Sequence, residues 1–116
     1  MSILLLGVVA SCEPTYPART LTRQLTKLIK EEENLDVTCH ATGKTLWVYV
    51  PLKDLIDEKN TTWNAKGLEE INKVLSIVHR VILSTDAKLN FLVIDGVDVR
   101  KYGLELKVIE YLPDIR

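Results

Sequence analysis

The stretch LDVTCHATGKTLWVYVP, residues 35–51, decides the fold. On either side of Gly43, apolar and polar residues alternate with the period of two that sets one group on a single face of a β-strand. Folding the stretch at a two-residue turn, Thr42-Gly43, sets Cys39 opposite Leu46, Val37 opposite Val48 and Leu35 opposite Val50. All six side chains then share one apolar face, and a one-residue slip would mix the faces. The other face carries Asp36 against Tyr49, Thr38 against Trp47 and His40 against Thr45, and Pro51 closes the second strand. Cys39 is thereby expected in the core, as an inert thiol.

Upstream of this hairpin, Leu21, Leu25, Leu28 and Ile29 recur at helical spacing, with Arg19, Arg23, Gln24, Lys27 and Lys30 mostly off the stripe. Pro17 suits a first helical turn because its missing N–H would be unpaired there. Glu31-Glu32-Glu33 and Asn34 end the helix; the three carboxylates stand at the negative end of the helix dipole and read as a solvated terminus. Downstream, a polar connection containing Asn60-Thr61-Thr62, which has the form of a glycosylation acceptor, leads through Trp63 to a second helix over residues 65–84. Its main stripe is Leu68, Ile71, Leu75, Val78 and Ile82, widened by Val74 and Val81, a breadth that suits packing on a sheet. NFLVIDGVDV (90–99) is apolar on both faces over its first half, hence a central strand. A turn at Tyr102-Gly103 then pairs Arg100 with Glu105, Asp98 with Lys107, Val99 with Leu106 and Val97 with Val108, a register favoured by its opposite-charge pairs. Pro113-Asp114 opens a further helical turn, and the chain reads as the front part of a longer protein.

The expected fold is therefore α+β: helix–hairpin–helix–hairpin, with four mainly antiparallel strands and two helices packed on one face. The αββ unit occurs twice without a residue-level repeat. Residues 18–116 form a single domain, in keeping with 116 residues of 47% hydrophobic composition, which suffice for one core and not two. Fifteen basic against sixteen acidic side chains, net charge −1, give no electrostatic reason to expect a nucleic-acid partner. Two cysteines, Cys12 and Cys39, exclude a disulfide framework.

The chain opens with MSILLLGVVAS, eleven residues without a charge, in which Ile3 to Ala10 form an eight-residue apolar run. That run is too short to span a bilayer, which takes about 20 residues, but it has the length of a signal-peptide apolar region. Val9-Ala10-Ser11-Cys12 resembles a lipobox, the motif of bacterial lipoproteins. The resemblance covers only the first dozen residues and implies a signal peptide over 1–11, lipidation of the Cys12 sulfur, and location in the bacterial cell envelope. Residues 12–17, with two prolines, then form a short extended tether. No Lys or Arg precedes the apolar run, in departure from the usual positive leader. The competing reading makes residues 3–10 a buried core strand of a cytosolic α+β domain, an adaptor or a small enzyme. The segment from Glu31 to Pro51, above all GKTLWVYVP at 43–51, is also similar to uncharacterised predicted lipoproteins of uncultivated bacteria, a group with no assigned activity to carry over.

His40, Trp47 and Tyr49 project from one face of the first hairpin and form a candidate binding face, or else pack beneath another segment. Asp95 and Glu110 face each other in the expected second-hairpin register and form a candidate carboxylate pair. His40 and His79 lie 39 positions apart and lack the spacing of a metal site, with no HxxxH or CxxC pattern. ATGKT at 41–45 ends like a phosphate-binding loop but lacks the upstream glycine and enters a strand rather than a helix. No cofactor is expected. The overall expectation is a lipid-anchored, non-enzymatic binding or structural module with an envelope-protein partner.

Overall fold

A computed structural model describes residues 16–53, 55–57, 62–100 and 104–114, without the side chains of residues 56, 57 and 114. The expected signal, Cys12, residues 12–15 of the tether, Asn60-Thr61 and the Tyr102-Gly103 turn lie outside the described residues. The fold is α+β. After Pro17 and a 3₁₀ turn over Ala18–Thr20 comes α1 (Leu21–Glu33), followed by β1 (Thr38–Thr42) and β2 (Thr45–Leu52). A small two-stranded excursion, β3 (Ile56–Asp57) and β4 (Thr62–Trp63), precedes α2 (Ala65–Ile82). Then follow β5 (Phe91–Asp98), β6 (Glu105–Tyr111) and a closing 3₁₀ turn over Leu112–Asp114.

Local chemistry sets the helix ends. Asn34 stops α1 in the left-handed conformation, φ +56°, which asparagine tolerates better than most residues. Asn64 starts α2: its side-chain oxygen accepts from the Lys66 N–H at 2.8 Å and the Gly67 N–H at 3.4 Å. Leu21, Leu25 and Ile29 of α1 are buried as their spacing requires. In α2 the buried stripe is rotated from the expected one, to Gly67, Ile71, Val74, Ile77, Val78, Val81 and Ile82. Leu68 and Leu75 fall on its margin, because α2 lies beside α1 on the sheet and buries one side against each.

The four long strands form one sheet in the order β1-β2-β5-β6. The two hairpins are antiparallel, and they join through a parallel β2–β5 pair that α2 spans as a crossover. The first hairpin turns at Gly43-Lys44 rather than Thr42-Gly43, so Thr42 faces Thr45, Cys39 faces Val48 and His40 faces Trp47. Gly43, at φ +59°, takes the first central position, where the hairpin turn of type II′ demands glycine. The shift of two leaves every face assignment intact, and Leu46, Val48, Val50 and Leu52 are fully buried beneath the helices. Pro51 does not end β2; it sits beyond the last β1 pair, Thr38–Tyr49, where the strand has lost a neighbour and tolerates proline.

In the second hairpin the register differs by an odd number, and that changes faces. Asp95 faces Lys107, Ile94 faces Val108, Gly96 faces Leu106, and Val97 faces Glu105. Leu106 and Val108 thereby join Leu92 and Ile94 against the helices, which outweighs the surface charge pairs that favoured the expected register. Asp98 leaves Lys107 and organises the loop instead, its carboxylate accepting from the Arg100 N–H at 2.8 Å and the Leu55 N–H at 3.3 Å. At Gly96 the sheet leaves no room for a side chain beneath α2: a Cβ built there would stand 2.7 Å from Ile71 Cδ1.

Candidate functional site

Both helices cover one face of the sheet; the other carries no helix among the described residues, and its composition follows from the register. Four rows cross it from β1 to β6. The first is Thr42, Thr45, Phe91 and Tyr111; the second is His40, Trp47, Val93 and Ile109. The third is Thr38, Tyr49, Asp95 and Lys107, and the fourth is Pro51, Val97 and Glu105. The three residues expected to form a binding face, His40, Trp47 and Tyr49, therefore share a surface with residues from β5 and β6. The second hairpin extends this face sideways rather than burying it.

The surface is aromatic. Trp47 and Tyr49 stack with ring centroids 6.2 Å apart and planes 10° from parallel, and Phe91 and Tyr111 meet at 5.3 Å and 49°. Tyr49, Phe91, Tyr111 and Ile109 are exposed, Ile109 to 65%. A soluble surface seldom gathers this much apolar area in one patch without a partner to cover it. His40 is also exposed, with its Nε2 hydrogen-bonded to the Thr42 hydroxyl.

At the centre of the face lies a group of different character. Asp95 is only 4% exposed, and its Oδ1 is buried without a hydrogen-bond partner. Its carboxyl is pushed up from 3.8 to about 6, first by burial, then by a hydrogen bond to Glu105 and by the negative charge of Glu105; Lys107 opposes the rise. Lys107 Nζ lies 3.3 Å from Glu105, so the nearest cation is drawn to the outer carboxylate. The expected partner of Asp95, Glu110, lies on the opposite face of the sheet. There it faces Leu92, and its carboxylate meets His79 Nε2 at 2.7 Å, tying β6 to α2. The Asp95–Glu110 pair is therefore replaced by Asp95–Glu105, and His79 becomes a structural tie. Alternation within β6 does place Glu105 and Lys107 on one side of their strand; what was missing from the sequence was which side of β5 they join.

Two other places hold chemistry-bearing groups. Cys39 is half-buried beside Thr22, Thr26 and Lys27 of α1, and burial pushes its thiol pKa up, against a smaller lowering by the Thr26 hydrogen bond. It is a weak nucleophile in that setting. An open cleft of about 430 Å³ lies at the far end of the domain between Glu33, Asp36, Pro51, Lys66, Glu70 and Val99, walled by solvated charges of both signs. Among the described residues no three His, Cys, Asp or Glu side chains gather as a metal cluster, and no helix is long and apolar enough to cross a membrane. Comparison with known protein families, with curated proteins and with solved structures finds no match to this chain.

Proposed function

We propose that this chain is a lipid-anchored protein of the bacterial cell envelope, held to a membrane through Cys12, whose α+β domain is a non-enzymatic binding module. Its docking surface is the helix-free face of the sheet, and the occupant is a segment of an envelope-protein partner that carries an arginine. The observation behind this reading is the placement of Asp95: a buried carboxyl with an unpartnered oxygen among Trp47, Tyr49 and Ile109. A guanidinium supplies two parallel donors to a carboxylate and stacks on aromatic rings, which matches this combination better than an ammonium does. Lys107 is engaged by Glu105 at 3.3 Å, which leaves Asp95 Oδ1 for the incoming donor. Trp and Tyr at the centre of such a patch supply most of the contact energy. The anchor rests on the Val9-Ala10-Ser11-Cys12 motif behind an eight-residue apolar run, with residues 12–15 as the start of the tether.

Each half has its own test. The intact mass of the chain expressed in a bacterial host should show loss of residues 1–11 and added acyl mass, and Cys12→Ser should move the protein into the soluble fraction. An unmodified chain that keeps Met1 would instead support residues 3–10 as a core strand. For the face, N-acetyl-arginine methylamide titrated into labelled protein should shift amide resonances of residues 47, 49, 95, 107 and 109, whereas N-acetylglutamate should not. Loss of the response in Asp95→Asn is expected. Equal shifts with both probes would rule out the carboxyl as the anchor point.

A further inference from the structure

Strand and helix directions give the domain two distinct ends. One gathers the start of α1, the end of α2, the β1–β2 turn, the start of β5 and the end of β6. Backbone hydrogen bonds stitch it together: the Tyr16 N–H donates to the Ser84 carbonyl at 3.1 Å, and the Asn90 and Phe91 N–H groups donate to the Lys44 carbonyl at 2.7 and 3.2 Å. The Leu112 N–H donates to the Asn90 carbonyl at 2.7 Å, and Tyr16 bridges Thr85 in parallel. The described chain begins at this end, at Tyr16, four residues after Cys12. Four extended residues reach at most about 14 Å, so a lipid on Cys12 keeps this end within about that distance of the headgroups.

The end is built to meet such a surface. Leu83, 66% exposed, caps α2, and the Phe91–Tyr111 ring pair forms the adjoining edge of the open sheet face. Leucine, phenylalanine and tyrosine are side chains that settle at the boundary between headgroups and acyl chains. Arg19, Lys44 and Lys88 stand exposed around them; among the described side chains there, the acid Asp86 accepts the Ala18 N–H at 2.8 Å. At the far end the exposed charge is mixed, with Glu33, Asp36 and Glu70 around the cleft. We propose that the end bearing Tyr16, Leu83, Phe91 and Tyr111 lies against the surface of a bilayer containing anionic phospholipid. This rests on the reading of Cys12 as the lipidated residue. It leaves the Trp47–Asp95–Ile109 rows clear of the membrane and turned sideways, open to a partner in the same envelope layer.

The test uses the full-length lipidated protein in vesicles of phosphatidylethanolamine and phosphatidylglycerol. In a Cys39→Ala background, a fluorophore is placed by Leu83→Cys, Lys88→Cys or Val99→Cys; Val99 is 59% exposed at the far end. Quenching by nitroxide-bearing lipid should be at least threefold stronger at positions 83 and 88 than at 99, and the preference should fall when phosphatidylcholine replaces phosphatidylglycerol. Equal quenching at all three positions, with acylation of Cys12 verified by mass, overturns this inference and leaves the anchor standing. An unacylated Cys12 overturns both. A preference indifferent to phosphatidylglycerol overturns the electrostatic contact made by Arg19, Lys44 and Lys88.

Discussion

Replacing Asp95 by asparagine keeps the side-chain shape and removes a carboxyl whose ionisation burial opposes. A carboxyl raised from 3.8 to about 6 in the folded state resists ionisation there more than in the unfolded chain. The sign follows from proton linkage. Below the ordinary carboxyl range both states hold the proton and Asp95 contributes no pH dependence. Between pH 4 and 6 the unfolded chain releases its proton first, so stability falls as pH rises, by up to about 1.4 kcal/mol per pH unit. Above about 6 the loss is complete, at about 3 kcal/mol. Asparagine carries no such loss, and its amide can donate to Glu105 where the protonated acid did. Urea unfolding of both proteins at pH 4.0 and pH 7.5 reads the effect as a difference, because the two chains differ only at this carboxyl. The difference in stability between Asp95→Asn and the parent should move in favour of the variant by about 2 kcal/mol from the lower to the higher pH, since at pH 4.0 the unfolded carboxyl is already partly ionised. The same difference at both pH values would refute the argument, and with it the buried, unsatisfied state of Asp95.

Other perturbations probe the frame that holds this face. Asn64→Ala removes the acceptor for two N–H groups at the start of α2 and should cost about 1 kcal/mol in chemical unfolding, with Asn64→Ser recovering most of it. Gly96→Ala drives a methyl against Ile71 Cδ1 and should destabilise by about 1–3 kcal/mol; paired with Ile71→Val, the double variant should lose less than the sum of the two singles. Gly43→Ala meets no neighbouring atom but must hold φ +59°, so about 1 kcal/mol of strain should appear in thermal melts, while Gly43→Asn should cost less.

Natural folds rarely keep a buried carboxyl with an unpartnered oxygen like that of Asp95, since it costs stability at neutral pH. Retaining one on an aromatic face makes sense where a partner's donor completes it, and the same residue would then loosen the complex as pH falls through about 6 and the carboxyl takes its proton. Binding and folding thus depend on pH in opposite directions through one group.

Local patterning was enough to set the helices and the faces of the first hairpin. A period of 3.6 residues in Leu21, Leu25 and Ile29, and a period of two on either side of Gly43, are local properties that survive any packing. The face shared by His40, Trp47 and Tyr49 was legible for the same reason: an even shift at the turn moved partners without moving sides. Tertiary structure alone decided how the two hairpins join and which side of β6 faces the helices. β5 is apolar on both sides, so its own pattern holds no preference, and surface charge pairs are too weak to set one. The register was fixed by packing the partly buried Leu106 and Val108 against the core beside Leu92 and Ile94, a contact between segments that no local pattern records. That one choice sent Glu110 to His79 and brought Glu105 to Asp95, so the acidic centre of the open face exists only once the sheet has closed.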